Sequence, residues 1–355
     1  MILDDVSDVL ARWGLDVDVV GASFGVRRSG RDDVFAAWGQ DGANAMPCEG
    51  SFRIASVTKT FTSALVLRLI DSGDLSLDDT IERWFPDYPH GEGITIRSLL
   101  QHTSGTADLM FDALDDYTEL LLGDLERVYS PLEVVDLTAA LPPHAPPDRS
   151  YRYSNTDYIL LGALAEQVCL EPFATLITRE FAAPLGLTDT GYDLGVPDDL
   201  LHGWFGLNSD GQPDPARHRE LDVRDFPNSA LISLAYSAGG MTSTLRDLLS
   251  WGEALYVGPT LSRSSTDRLL ASPEFGDPDG GCHGLGVFAY GSRRPDGSWP
   301  AYGHTGNIIG SSTFLGTFPS ATTTTTTIVA IHGNVLEVPS AKLVELGFAL
   351  AKIHE

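Results

Sequence analysis

Cysteine is scarce in this sequence, and two arrangements that often carry chemistry are missing. The 355 residues include three cysteines, Cys48, Cys169 and Cys282, and none of them forms a C-x-x-C pair. An odd number without paired spacing excludes a disulfide framework and is typical of a reducing compartment. There is also no H-E-x-x-H motif and no spaced Cys/His cluster, so we predict neither a metal site nor a cofactor.

Positive charge is also in short supply. Lysine and arginine number 23 against 49 aspartates and glutamates, which gives a formal net charge of −26. A nucleic-acid phosphate backbone would be repelled by this charge, so nucleic acid is excluded as a partner. The acidity could favour cationic substrates, but a solvated surface explains it more simply.

Long apolar runs are absent. No stretch reaches the roughly 18 apolar residues that a membrane span needs, so we predict no membrane association. The first 14 residues, MILDDVSDVLARWG, lack a basic leader and place their apolar residues at helical spacing. This pattern predicts an amphipathic helix rather than a signal peptide. We therefore expect a cytoplasmic protein, provided that no leader was trimmed from the sequence.

The segments that are present alternate between strand-like and helical patterns. A hairpin is predicted from residues 17–26 and 33–38, and strand-like runs return at 284–291, 312–318 and 328–334. Helices are predicted between these regions and over residues 340–353, with a capping box at Ser130–Glu133. Strands at both ends with helices between them predict one α/β domain built from both termini and a mainly helical insert.

Two serines compete for the role of nucleophile. GASFG at 21–25 matches the G-x-S-x-G nucleophile elbow, which needs a strand, a sharp turn and then a helix. Ser23 is followed instead by a strand-like and turn-like segment, so its glycines more plausibly mark close packing. Ser56, in SVTK, opens a long helix that we predict to be amphipathic. Lys59 lies three residues on, where its amine can reach the hydroxyl.

Two further motifs favour Ser56 over a simple helix cap with an exposed lysine. Tyr153-Ser154-Asn155 lies at a predicted loop-to-helix junction, and His304-Thr305-Gly306 lies near the C-terminus. With SVTK they resemble the three-part motif set of penicillin-recognising enzymes, the serine β-lactamase family. The resemblance is closest to the branch of class C β-lactamases, D-alanyl-D-alanine carboxypeptidases and β-lactamase-like esterases. It extends over about residues 50–335 and includes ITIRSLLQHTSG, YRYSNTDYILLGALAEQV and AGGMTSTLRDLLSWGEAL.

The resemblance implies a fold and a domain division. The fold class would be α/β (α+β), β-lactamase/transpeptidase-like, with an antiparallel sheet flanked by N- and C-terminal helices and a mainly helical second subdomain. Residues 1–84 and 283–355 would form the sheet subdomain, and residues 85–282 the helical one. The active site would lie at their junction.

The resemblance also implies roles for the motif residues. Ser56 would attack a carbonyl, and Lys59 and Tyr153 would share the proton transfers. Their ordinary pKa values are about 10.4 and 10, so the site must lower one of them, and which acts first stays open. Asn155 would position Lys59 and the substrate amide, or cap the next helix. The backbone N–H groups of Ser56 and Asn307 would form the oxyanion hole.

Substrate recognition is less well determined. His304 replaces the lysine usual in β-lactamases, and with Thr305, Gly306 and Asn307 it would bind the substrate. A histidine is mostly neutral at pH 7 and anchors a carboxylate poorly. Arg293 and Arg294 could supply a cation, but a solvated turn is the simpler interpretation. His102, in QHTSG, is assigned a structural role.

We therefore predict a serine hydrolase that forms an acyl-enzyme with an ester or amide, as in esterases, D-aminopeptidases or carboxypeptidases. Its partner would be a small-molecule or short-peptide acyl substrate, and no oligomeric state is predicted. One alternative is an acyltransferase that passes the acyl group to an amine or alcohol. Another is a penicillin-binding-like module that is acylated without turnover.

Overall fold

The computed structural model describes residues 2–89, 91–206, 214, 217, 219–271, 282–336 and 338–353. The side chains of residues 2–6, 282 and 353 lie outside this description. The prediction that Cys282 forms no disulfide therefore falls outside the described residues. The strands are β1 Gly21–Arg28, β2 Val34–Asp41, β3 Asn44–Ala45, β4 Phe52–Arg53, β5 Gly191–Tyr192, β6 Trp204–Phe205, β7 Leu221–Asp222, β8 Met241–Ser243, β9 Cys282–His283, β10 Phe288–Tyr290, β11 Ala301–Ile308, β12 Ser311–Pro319 and β13 Thr326–Gly333.

The helices are concentrated between the two groups of strands. They are α1 Ile2–Asp16, α2 Thr58–Ser72, α3 Ile96–Leu100, α4 Leu109–Asp112, α5 Leu114–Gly123, α6 Pro131–Ala139, α7 Asn155–Cys169, α8 Phe173–Ile177, α9 Ala183–Leu185, α10 Ser229–Gly239, α11 Leu245–Tyr256, α12 Arg263–Leu270 and α13 Ser340–Ile353. The capping box predicted at Ser130–Glu133 is confirmed at the start of α6.

An antiparallel sheet joins both ends of the chain. Among the described residues it has eight strands in the order β3-β2-β1-β13-β12-β11-β10-β9. Successive residues of β13 point to opposite faces of the sheet, because side chains alternate along a strand. Val329 and Ile331 join the core under α1 and α13, whereas Ile328 and Ala330 join the core that includes α11 and the central helices. The predicted antiparallel sheet with flanking terminal helices is confirmed.

The predicted hairpin is confirmed, with a later start. Val17 lies in the turn that ends α1 and not in a strand, because its N–H donates to the Trp13 carbonyl at 3.0 Å. Strand β1 therefore begins at Gly21 and pairs with β2 from Gly21 to Val26.

Helix α2 differs from its prediction. It was expected to be amphipathic, but every residue from Thr58 to Leu67 is buried. Its hydroxyls can be buried because each one finds a hydrogen-bond partner inside the protein. Thr60 Oγ1 donates to the Val57 carbonyl at 2.8 Å, and Thr62 Oγ1 donates to the Ser237 carbonyl at 2.7 Å. The helix that follows Ser56 is thus a central, rigid support.

We expect Trp251, on α11, to be a main anchor of this helix. Its indole is fully buried and stacks on Phe61 with ring centroids 3.9 Å apart, and its Nε1 donates to Thr60 Oγ1 at 2.9 Å. Trp251→Ala should lower the free energy of unfolding by about 3–5 kcal/mol, measured by urea denaturation. Trp84→Ala, at a half-buried tryptophan, is the control and should cost clearly less; equal losses would contradict this view of α2.

Within the described residues, no single helix is both long and apolar enough to cross a membrane. Helices Asn155–Cys169 and Phe173–Leu185 reach that length and composition only as a pair, across an 81° bend.

Candidate active site

Ser56 lies in a single 3-10 turn, Ala55–Val57, that leads directly into α2. Ala55 has φ +48°, a left-handed conformation that a residue with a side chain adopts at a cost. Ser56 is half-buried beside this strained residue and is accessible from the cavity next to it. The turn thus presents the hydroxyl at the start of a buried helix.

The Ser56 hydroxyl contacts two groups able to move a proton. Lys59 Nζ lies 3.1 Å from Ser56 Oγ, and Tyr153 Oη lies 2.8 Å from the same oxygen. Lys59 is close to Ser56 because residues three apart lie on the same face of a helix. Tyr153 belongs to a loop that is 97 residues away in sequence. The structure therefore brings together the three residues for which the sequence predicts catalytic roles.

Lys59 is fully buried, and its other contacts are two oxygens. Nζ donates to Asn155 Oδ1 at 2.8 Å and to the Ala238 carbonyl at 2.7 Å. Burial lowers the pKa of Lys59 to about 7, although the charges of Asp108 and Asp157 oppose that shift. A neutral amine can donate to both oxygens and still offer its lone pair to the Ser56 proton. The amine can therefore act as a base near neutral pH.

Asn155 is the first residue of α7 and not its cap, in contrast to the capping alternative. Its side chain accepts from Lys59, while its backbone N–H donates to Asp108 Oδ2. Asp108 also accepts from the N–H groups of Met110 and Phe111 at the start of α4. Our sequence reasoning missed this carboxylate, although an aspartate before a helix is a recognisable cap signal.

A second buried carboxylate, Asp157, was also missed. It accepts from Ser104 Oγ at 2.5 Å and Thr106 Oγ1 at 2.8 Å, and His102 Nδ1 lies 2.9 Å from its other oxygen. Burial raises the pKa of Asp157 to about 8. In the sequence it resembles any acidic residue in the first turn of a helix, so nothing local identifies it. The contacts place His102 against Asp157, as a support of the loop.

The His304-Thr305-Gly306 motif lies within β11, which packs against the Ser56 turn. His304 is buried, and burial together with the charge of Lys59 lowers its pKa to about 3. The imidazole is thus neutral at pH 7 and supplies no charge for a substrate carboxylate. Thr305 Oγ1 donates to Ser340 Oγ at 3.1 Å, and Asn307 Nδ2 donates to the Val338 carbonyl at 3.4 Å. The oxyanion role of the Ser56 and Asn307 N–H groups stays a prediction.

Ser23 has none of the geometry of a nucleophile elbow. It is buried in the middle of β1, opposite Ala37 of β2 and His332 of β13. Close packing explains why the GASFG motif begins with a glycine. A Cβ on Gly21 would stand 2.4 Å from the Gln40 carbonyl oxygen.

The other candidate groups lie apart from Ser56. Arg293 Nε donates to the Gly297 carbonyl at 2.8 Å, and an Arg294 amine donates to the Pro319 carbonyl at 2.8 Å. These bonds tie both arginines to their own turn and the adjacent strand end. In the part of the chain that the structure describes, no cluster of three His, Cys, Asp or Glu side chains could hold a metal ion.

Comparison with known proteins identifies relatives along most of the chain. The family model described as Beta-lactamase matches residues 10–346. Penicillin-binding protein 4* of Bacillus subtilis is 26% identical over 71% of this chain and 56% of its own length. Esterase EstB of Burkholderia gladioli is 31% identical over 59% of this chain and 57% of its own length. The chain thus spans somewhat more than half of these two relatives.

A solved structure matches over nearly the whole chain. A D-stereospecific amidohydrolase from Streptomyces sp. is 26% identical and superposes with a TM-score of 0.79. The match covers 96% of this chain and 98% of that protein. The predicted fold class is therefore confirmed.

Proposed function

Because the chain belongs to the Beta-lactamase family, we propose that it is a serine hydrolase that forms an acyl-enzyme on Ser56 with an ester or amide. One observation carries the proposal: Ser56 Oγ lies within hydrogen-bond distance of both Lys59 Nζ and Tyr153 Oη. A serine hydroxyl is a weak nucleophile until an adjacent base takes its proton. Here a buried amine stands at the required distance.

In the proposed acylation, neutral Lys59 takes the Ser56 proton as Oγ bonds to the substrate carbonyl carbon. The carbonyl oxygen becomes an oxyanion, which the backbone N–H groups of Ser56 and Asn307 would stabilise. As the intermediate collapses, the bond to the leaving group breaks and Tyr153 donates its hydroxyl proton to that group. The protonated Lys59 then gives the proton it took from Ser56 to the Tyr153 phenolate, so both groups return to their starting forms while Ser56 is acylated. In the second half of the reaction, water attacks the acyl carbon and gives one proton to the base. The bond between that carbon and Ser56 Oγ then breaks, the acid is released, and the base returns the proton to Oγ.

The relatives support an ester or amide substrate. EstB is an esterase by name, and the Streptomyces protein is an amidohydrolase. An acyltransferase would use the same first half-reaction and resolve the acyl-enzyme with an amine or alcohol. A penicillin-binding-like module would stop at the acyl-enzyme. We rank hydrolysis first because both named enzymes among these relatives hydrolyse their substrates.

We further propose a small-molecule or short-peptide acyl substrate and a cytoplasmic location, with no nucleic-acid partner. The net charge of −26 supports the exclusion of nucleic acid. Cys48 and Cys169 are free thiols, which supports a reducing compartment. Cell fractionation with detection of the native protein tests the location.

Active-site labelling tests the nucleophile. A fluorophosphonate should add one label to the wild type and to Ser23→Ala, and none to Ser56→Ala, as measured by intact-protein mass. Loss of labelling in Ser23→Ala alone would refute the assignment.

Multiple turnovers of p-nitrophenyl acetate distinguish an enzyme from a penicillin-binding-like module, which would release a single burst of p-nitrophenol equal to the protein concentration. Millimolar amine or alcohol should make the amide or ester the main product in an acyltransferase, whereas the acid should stay the main product in a hydrolase.

A further inference from the structure

A cavity of about 740 Å³ opens beside Ser56 and extends between α4, α5, α6 and α10. This volume lies within the range of cavities that enclose small ligands. Ser56, Tyr153 and His304 line one end, so an acyl group attached to Ser56 would project into the space. The cavity is therefore placed to recognise the acyl part of a substrate.

The part of the cavity away from Ser56 is apolar. Leu121, Val134, Leu231 and Leu234 line it, and each of these side chains is largely withdrawn from solvent. Near the opening, Phe111 and Leu114 also line the cavity while remaining 54% and 46% exposed. Exposed leucines and phenylalanines at a cavity mouth extend its apolar surface to solvent.

The charged groups of the described lining are already engaged. Only Asp108 and Arg152 among these residues carry a formal charge. Asp108 is 2% exposed and accepts from the backbone N–H groups of Asn155, Met110 and Phe111. Arg152 is bonded to both carboxylate oxygens of Asp112, at 2.5 and 3.1 Å. Each of these two charged groups therefore already has partners within the protein.

The catalytic side of the cavity adds no charge for the substrate either. His304 is neutral, and Lys59 is completely buried behind Ser56, where its Nζ is bonded to Ser56, Asn155 and Ala238. A carboxylate or ammonium placed in this apolar space would lose its hydration without gaining a partner. The cavity thus disfavours charge of either sign.

We propose that the cavity binds a neutral, apolar acyl chain, and that the substrates are uncharged esters or amides of medium-chain carboxylic acids. This substrate class rests on the proposed function, because an acyl group reaches the cavity only through reaction at Ser56. It excludes substrates that depend on a free carboxylate or a free amine on the acyl side. Leu114 is then a specificity-determining residue at the cavity mouth.

A series of p-nitrophenyl esters tests the proposal by kcat/KM. From acetate to hexanoate the value should rise about fourfold per methylene, which corresponds to about 0.8 kcal/mol per buried methylene. At a constant six carbons, hexanoate should exceed the adipate monoester and the 6-aminohexanoate ester by at least about tenfold. No gain with chain length, or a charged ester that equals or exceeds hexanoate, would overturn the proposal.

A matched pair of variants locates the effect. Leu114→Glu should reduce kcat/KM for the hexanoate ester by about tenfold, and by clearly more than it reduces the value for the acetate ester. Leu132→Glu makes the same change at a position that is 53% exposed and does not line the cavity, and it should leave both values unchanged. Equal losses in the two variants would count against the assigned cavity.

A binding measurement separates this inference from the proposed function. In Ser56→Ala, which cannot acylate, methyl hexanoate should displace the neutral fluorophore N-phenyl-1-naphthylamine at lower concentration than hexanoate or hexylamine. Displacement in that order without ester turnover by the wild type would retain the cavity and refute the hydrolase. Turnover of acetate through Ser56 without this order would retain the hydrolase and refute the acyl-chain site.

Discussion

Replacing Lys59 by methionine is expected to lower kcat/KM for p-nitrophenyl acetate by about 10²- to 10⁴-fold, the usual contribution of a general base. The change removes the amine 3.1 Å from Ser56 Oγ and retains the length of the side chain. Methionine fills the same buried space without a polar group to desolvate, so folding should survive. Stopped-flow or steady-state ester hydrolysis, with a thermal melt of each variant, measures both effects.

The control for this variant is Lys342→Met. Lys342 is on α13, where its Nζ pairs with Asp16 at 2.8 Å and Glu345 at 3.4 Å. It does not line the cavity, and its loss should leave kcat/KM unchanged. Tyr153→Phe completes the comparison, since it removes the other candidate base. If Lys59→Met keeps most of its activity while Tyr153→Phe loses it, the tyrosine is the first base and our order of proton transfers is wrong.

The pH dependence follows from the same lysine. Its pKa in the folded protein is lowered to about 7 by burial, against the pull of Asp108 and Asp157. The neutral amine is the active form, so kcat/KM should fall about tenfold per pH unit below pH 7 and level off above it. An ordinary lysine would instead place this break near 10.4. A break above pH 9 in the wild-type profile would contradict a Lys59 pKa lowered by burial.

Gly306→Ala is expected to reduce kcat/KM by about 10²-fold. A Cβ at this position of β11 would stand 2.6 Å from the Ile54 carbonyl oxygen and 2.9 Å from Ala55 Cβ. The strand and the Ser56 turn must separate to relieve these contacts, and a displacement near 1 Å can cost that much activity. The loss should appear in kcat, because the turn carries the nucleophile.

Gly123→Ala is the matched control for that change. Gly123 is the last residue of α5, and a Cβ there would have no neighbour within 4 Å. The variant should keep full activity and an unchanged melting temperature. Full activity in Gly306→Ala as well would show that the contact between β11 and the Ser56 turn does not position the nucleophile.

Several features of the site could be predicted from local sequence alone. Ser56 and Lys59 meet because residues three apart share a helix face, a relation that does not depend on the rest of the fold. Ser23 could be excluded as the nucleophile because a nucleophile elbow needs a helix after the serine. The residues that follow GASFG have a strand-like and turn-like pattern instead. The capping box at Ser130–Glu133 is local in the same sense and was found at its predicted place.

Other features depend on packing that the sequence does not display. Asp108 and Asp157 were missed because the sequence pattern of a helix cap, or of an acidic first turn, is the same for an exposed carboxylate as for a buried one. Helix α2 was predicted to be amphipathic because its threonines and serines count as polar, although their hydroxyls bond inside the core. Burial of a polar group is decided by partners that arrive from distant segments.

By itself, then, the sequence determined the nucleophile helix and the division into terminal strands and central helices, since these follow from spacing and periodicity. The set of motif residues followed from the resemblance to the serine β-lactamase family. Tertiary structure alone decided that Tyr153 stands 2.8 Å from Ser56 across 97 residues, and that His304 is neutral beside it. It also decided the pKa of Lys59 and the apolar cavity. Desolvation and cavity shape arise from everything packed around a group, and no local pattern of residues contains that information.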